Sequence, residues 1–104
     1  MMTSKSDSPN RTATVDAADL RAAAVLLRDM GAKEVYLFGS AARNELRPDS
    51  DIDIAVRGVP ASRFFAAAAR AADALGRPVD LVDLEVPSPT VKYILNAGIL
   101  LRVL

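Results

Sequence analysis

Residues 51–56, DIDIAV, alternate strictly. Ile52, Ile54 and Val56 fall on one face of an extended chain, and Asp51, Asp53 and Ala55 fall on the other. Period-two alternation built on three β-branched residues demands a strand with one face in a core and one face that begins acidic. A single strand has no stability in water, so the chain must supply others to pair with it. Two short β-prone runs do so: Val35–Phe38, stopped by Gly39, and Pro78–Leu84, reading PVDLVDL. Both are too short to be buried helices and both are bounded by Gly or Pro.

Helical spacing fills the intervals. Asp16 predicts an N-cap for a helix running to about Met30, with Leu20, Ala23, Leu27 and Met30 in phase and Gly31 as its stop. Ser40–Leu46 predicts about two further turns before Arg47-Pro48 breaks them. Gly58 and Pro60 mark a turn. Residues 61–75 then predict an Ala-rich helix with Phe64, Ala68, Ala72 and Leu75 on one stripe, Phe65 and Ala69 beside it, and Gly76 at its end. Ser88 with Pro89 opens a helix to about Asn96, before Gly98. Ile99–Leu104 is a last apolar segment suited to an edge strand. The order of elements predicts an α/β (α+β) domain, a small sheet with helices on one face.

Composition narrows the chemistry. The 104 residues fit one domain, half are hydrophobic, and the formal net charge is zero. Lys and Arg are scattered, so no basic footprint for nucleic acid stands out and none is expected as a direct partner. With no Cys and no His, disulfides, thiolate and imidazole metal sites, and Ser-His triads are all excluded. Chemistry must run on carboxylates, hydroxyls, Lys, Arg and backbone amides. Residues 1–14 are polar, without the apolar core of a signal peptide, and are expected to form a disordered tail before a domain spanning 15–104. No apolar run approaches a membrane span, so a cytoplasmic protein with no membrane partner is expected.

Alternation places Asp51 and Asp53 on one face about 6.5–7 Å apart. Two carboxylates so placed repel unless a cation or water separates them. Taken alone, the pair also fits a solvated turn, and Gly39-Ser40 alone says less still. Hard oxygen ligands on a strand suit Mg²⁺, which takes one or two carboxylates together with substrate phosphates. A third carboxylate from the next strand would allow two ions. Asp80 and Asp83 compete for that place; their odd spacing puts them on opposite faces, and Asp80 is favoured. Gly39 lets backbone approach a phosphate closely, Ser40 heads the short helix, and Arg43 one turn on can reach the same phosphates.

Together these residues match a longer pattern. GSAARNELRPDSDID resembles the G-S-x₁₀-D-x-D signature of the polymerase-β-like nucleotidyltransferase superfamily, and the surrounding VYLFGSAAR, SDIDIAV and PVDLVDLEV resemble its minimal nucleotidyltransferases. The similarity covers about residues 17–104. It implies a small mixed sheet backed by helices, with Gly39 and Ser40 at the nucleotide phosphates, Asp51 and Asp53 as Mg²⁺ ligands, and Asp80 as third carboxylate and base. Asn44 stands where a Gly commonly follows the Ala-Arg pair. The resemblance also implies an antitoxin that, with Mg²⁺ (two ions), transfers AMP from ATP to a tyrosine of a HEPN-domain ribonuclease toxin and so silences it. Two other readings stay open: an antitoxin that acts by contact alone, with Val91, Ile94 and Leu95 offered to a partner, and a small-molecule nucleotidyltransferase completed by a second chain. For those three residues, core packing is the favoured reading.

Overall fold

The computed structural model of the protein describes residues 15–43, 45–98 and 100–104. The expected tail, Asn44 and Ile99 lie outside the described residues. Among the described residues, four helices and four strands follow one another: α1 (Ala17–Asp29), β1 (Glu34–Phe38), α2 (Gly39–Ala42), β2 (Ile52–Arg57), α3 (Phe64–Leu75, entered through a 3₁₀ turn at Ala61–Arg63), β3 (Val79–Asp83), α4 (Pro89–Ala97) and β4 (Leu101–Arg102). The sheet is mixed, in the order β3-β2-β1-β4. β1 runs antiparallel to both β2 and β4, while β2 and β3 are parallel, joined across the sheet by α3.

The helix ends follow from local chemistry. Asp16 caps α1, its Oδ1 accepting from the N–H groups of Ala18 at 2.8 Å and Asp19 at 3.4 Å. Ser88 caps α4, its hydroxyl accepting from the Val91 N–H at 3.1 Å, with Pro89 in the first turn.

Ile52, Ile54 and Val56 enter a core with Val35 and Leu37 of β1 beneath α1 and α3. Each such fully buried aliphatic side chain contributes about 1.5–3 kcal/mol. The stripe of α3 differs from expectation. Ala67, Ala71 and Leu75 are its buried residues, whereas Phe65 is 86% exposed. Small residues on this line let α3 press against Ala23, Ala24 and Leu27 of α1, and close helix contact outweighs burial of one more ring. The second helix also ends early. α2 has four residues; Glu45–Arg47 are not helical, and Leu46, 1% exposed, sits in the core.

The helices do not all share one face. Val91 and Ile94 of α4 form a second apolar cluster with Phe38, Ala55 and Leu84. Ala55 alternates with Ile54 and Val56, so α4 covers the face of β2 that carries Asp53. Val91 and Ile94 are therefore core residues, and Leu95, 49% exposed, is not. Among the described residues, no helix is long and apolar enough to cross a membrane.

Candidate nucleotide site

β2 and β3 pair in a register that sets Asp53 directly beside Asp80. Both belong to the face that α4 covers farther along at Ala55, and their end of that face is open. Asp51 immediately precedes β2 on the same side. Asp51 and Asp80 are exposed and Asp53 is half-buried. Asp83 pairs with Val56 and so lies on the other face; its Oδ1 accepts from the Glu85 N–H at 2.9 Å and shapes the turn after β3.

Gly39 follows β1 directly, where Phe38 is the register partner of Asp53. Its φ is +64°, a left-handed conformation that glycine adopts without strain. The missing side chain matters equally. A Cβ at Gly39 would collide with Asp53 Oδ2 and stand 3.2 Å from Asp53 Cγ. Gly39 thus makes room for the carboxylate itself as well as for any phosphate. Ser40, half-buried, is the second residue of α2, and no side chain caps the amides that open this helix. Arg43 closes α2, and its Nε donates to Glu45 Oε1 at 2.9 Å. That hydrogen bond, with smaller contributions from Tyr93 and Asp53, holds the guanidinium still more firmly protonated.

Burial pushes the Asp53 carboxyl above its ordinary value of 3.8; Asp80 and Asp51 push it further, and Arg43 pulls the other way. A carboxylate raised mainly by burial and by two like charges lacks a sufficient counter-charge. Among the described residues, no three carboxylates are gathered closely enough to hold an ion jointly. In donor chemistry the set still fits a hard divalent cation, because it is all oxygen and Asp51 and Asp80 are exposed side chains free to turn.

The linkage has a definite sign. The folded-state value of Asp53 lies above the unfolded one, so its stabilising contribution is complete below pH 3.8 and is lost as pH rises through the raised value. At neutral pH the charge destabilises. Asp53→Asn is expected to raise Tm at pH 7 by about 2–4 °C, corresponding to ~0.5 kcal/mol at this partly exposed site. The advantage should vanish as pH falls toward 3.8. Calorimetry across pH checks this, and a lower Tm for the variant at pH 7 would refute it.

Sequence reasoning missed one positioning residue. Arg77, just beyond α3, donates through Nη2 to the carbonyls of Arg47 at 2.6 Å, Pro48 at 3.2 Å, and Ser50. One guanidinium thereby gathers the loop that delivers Asp51 to the site. Nothing local marks Arg77, because its partners lie about thirty positions upstream and are backbone atoms.

The polymerase beta nucleotidyltransferase family matches residues 22–102. No curated protein matches the chain. Among solved structures, one described as a minimal nucleotidyltransferase superposes with a TM-score of 0.67 at 30% identity, over 79% of this chain and 88% of that one. A toxin–antitoxin crystal structure with AMP-PNP gives 0.64 at 32% identity, over 77% and 70%. A complex of tri-AMPylated Shewanella oneidensis HEPN toxin with its MNT antitoxin gives 0.59 at 30% identity, over 80% and 68%. In fold and in sequence alike, this chain belongs to the minimal nucleotidyltransferases of the polymerase beta nucleotidyltransferase family.

Proposed function

We propose that this protein is an antitoxin that transfers AMP from ATP to a tyrosine hydroxyl of a HEPN-domain toxin. The observation that carries this reading is the adjacency of Asp53, Asp80 and Gly39 at one open sheet end, with Asp51 delivered beside them. Family membership supports nucleotidyl transfer as the reaction. The AMP-PNP complex and the AMPylated toxin among the similar structures support the nucleotide and the acceptor.

In this reading Gly39 and Ser40 hold the triphosphate through backbone amides and the Ser hydroxyl, and Arg43 exchanges Glu45 for a phosphate. Asp51, Asp53 and Asp80 would hold Mg²⁺, up to two ions; when bound, it neutralises phosphate charge and lowers the pKa of the attacking hydroxyl. With no His in the chain, Asp80 is the base. The acceptor oxygen attacks the α-phosphorus, its proton passes to Asp80, and pyrophosphate departs. Preorganised charge and positioning supply the rate in such reactions.

The test is direct. The protein is incubated with its proposed HEPN-domain partner, ATP and Mg²⁺, and the partner is analysed by intact-mass and peptide mass spectrometry. One or more adenylate additions on a tyrosine are expected. A partner that stays unmodified while its ribonuclease activity is still suppressed would replace transfer with contact.

A further inference from the structure

The free edge of β3 lies in a groove that adjoins the carboxylate set. β3 ends the sheet. Its bonding toward β2 begins with the Ile52 N–H to Pro78 C=O at 2.9 Å and ends with the Leu84 N–H to Val56 C=O at 2.9 Å. In a parallel ladder alternate residues serve one neighbour, so Pro78, Asp80, Val82 and Leu84 face β2 and Val79, Leu81 and Asp83 face outward. The Asp83 carbonyl accepts from the Val86 N–H at 3.2 Å. Both backbone groups of Leu81 point away from the sheet, and among the described residues no strand pairs with them.

Walls rise on either side of this edge. Phe64 and Phe65, their rings edge to face at 6.2 Å, stand at the start of α3; Ser88, Thr90 and Val91 stand at the start of α4; Val86 closes one end. The groove encloses about 460 Å³, and Asp80 lines it. Phe65 at 86% and Val86 at 56% exposure are large apolar side chains that no described residue covers. One residue, Asp80, thus belongs both to the carboxylate set and to an apolar groove floored by open backbone.

We propose that an extended segment of the acceptor protein adds to this edge as a fifth strand, its hydroxyl-bearing residue opposite Asp80 and an adjacent apolar side chain against Phe64 and Phe65. The inference rests on the reading of the site as an AMP transferase and deepens it by naming how the acceptor is held. Strand addition draws affinity from main-chain bonds and specificity from alternate side chains. Each strand step across a sheet is about 4.8 Å, so a residue opposite Asp80 lies two steps from Asp53, within the reach of a tyrosine side chain. Alternation sends that residue to the carboxylate face and its neighbours in sequence to the α3 face, where the phenylalanines wait. The acceptor is therefore a hydroxyl residue flanked by an apolar one. A second copy of this chain is a poor occupant, because its β3, Val79–Asp83, carries no hydroxyl residue to set opposite Asp80.

The experiment uses the 104-residue chain, its proposed HEPN-domain partner, and a Phe65→Ser/Val86→Ser double variant, whose two sites touch neither core. For the variant, KM for the acceptor should rise about tenfold or more while the thermal shift produced by Mg-ATP stays unchanged. Hydrogen exchange at the Leu81 amide should slow when the acceptor is added to the wild-type chain. If the wild-type chain modifies the acceptor and the variant matches its KM, the groove is not the docking site, although the transferase reading stands. If the wild-type chain modifies nothing, that reading falls and the inference with it. A Leu81 amide already protected before the acceptor is added would show the edge to be occupied otherwise and would overturn the proposal.

Discussion

Asp51→Asn/Asp53→Asn is expected to lose AMP transfer by about 10³-fold or more while remaining folded. The magnitude follows from what the two carboxylates are asked to do. Each oxygen pair offers a negative site for a divalent cation, and losing even one preorganised charge contact in a polar site typically lowers rate by ~10²–10³. Asn keeps the shape but neither the charge nor the affinity for Mg²⁺. Stability should not suffer. Asp51 is exposed, and Asp53 carries a charge that burial, Asp80 and Asp51 all oppose. Circular dichroism and Tm report the fold, and mass spectrometry of the HEPN-domain partner reports transfer. Transfer above about a tenth of the wild-type rate would remove these residues from the mechanism. The same variant separates catalysis from contact. If cells carrying it are still protected from the partner, binding suffices, and the exposed Tyr93, on the side of α4 away from buried Val91 and Ile94, becomes the position to mutate next.

Much of this site is legible in DIDIAV because a strand has only two faces. Once Ile52, Ile54 and Val56 are assigned to a core, Asp51 and Asp53 have nowhere else to go. The parity of Asp80 and Asp83 separates them in the same way, and the register that pairs Asp53 with Asp80 is consistent with that parity. Helix periodicity is less informative. It marks an apolar stripe on α4 without saying which face of the sheet the stripe covers. The one clue is Ala55, a small apolar residue in line with two acids, which shows that this face turns from open to covered within two positions. On α3 the periodic stripe of Phe64, Ala68, Ala72 and Leu75 shares only Leu75 with the fully buried set, because packing against α1 selects Ala67 and Ala71. In α2, nothing in Ser40–Leu46 shows that burial of Leu46 would end the helix at Ala42. Arg77 is invisible for a related reason. Its role exists only once Arg47, Pro48 and Ser50 have been folded against it.

Gly39→Ala tests the most local link between sequence and chemistry, and it should damage function more than fold. Two separate effects arise. At a φ of +64° an L-residue is strained by roughly 1–2 kcal/mol, which for a domain of this size lowers Tm by ~5–15 °C. The added methyl also occupies the space of Asp53 Oδ2. An Asp side chain is short and ends in a free carboxylate, so the overlap is relieved most readily by swinging that carboxylate aside. The backbone then keeps its path, and the proposed site loses the position of its central carboxylate. A displacement near 1 Å at a reacting centre lowers rate by about 10²-fold, so Gly39→Ala is expected to transfer AMP at roughly 1% of the wild-type rate even below its own Tm. A crystal structure or the Mg²⁺-induced thermal shift shows whether Asp53 has moved. Gly39→Ala with near-normal transfer would mean that Asp53 has a second acceptable position, and that Gly39 serves the backbone turn alone.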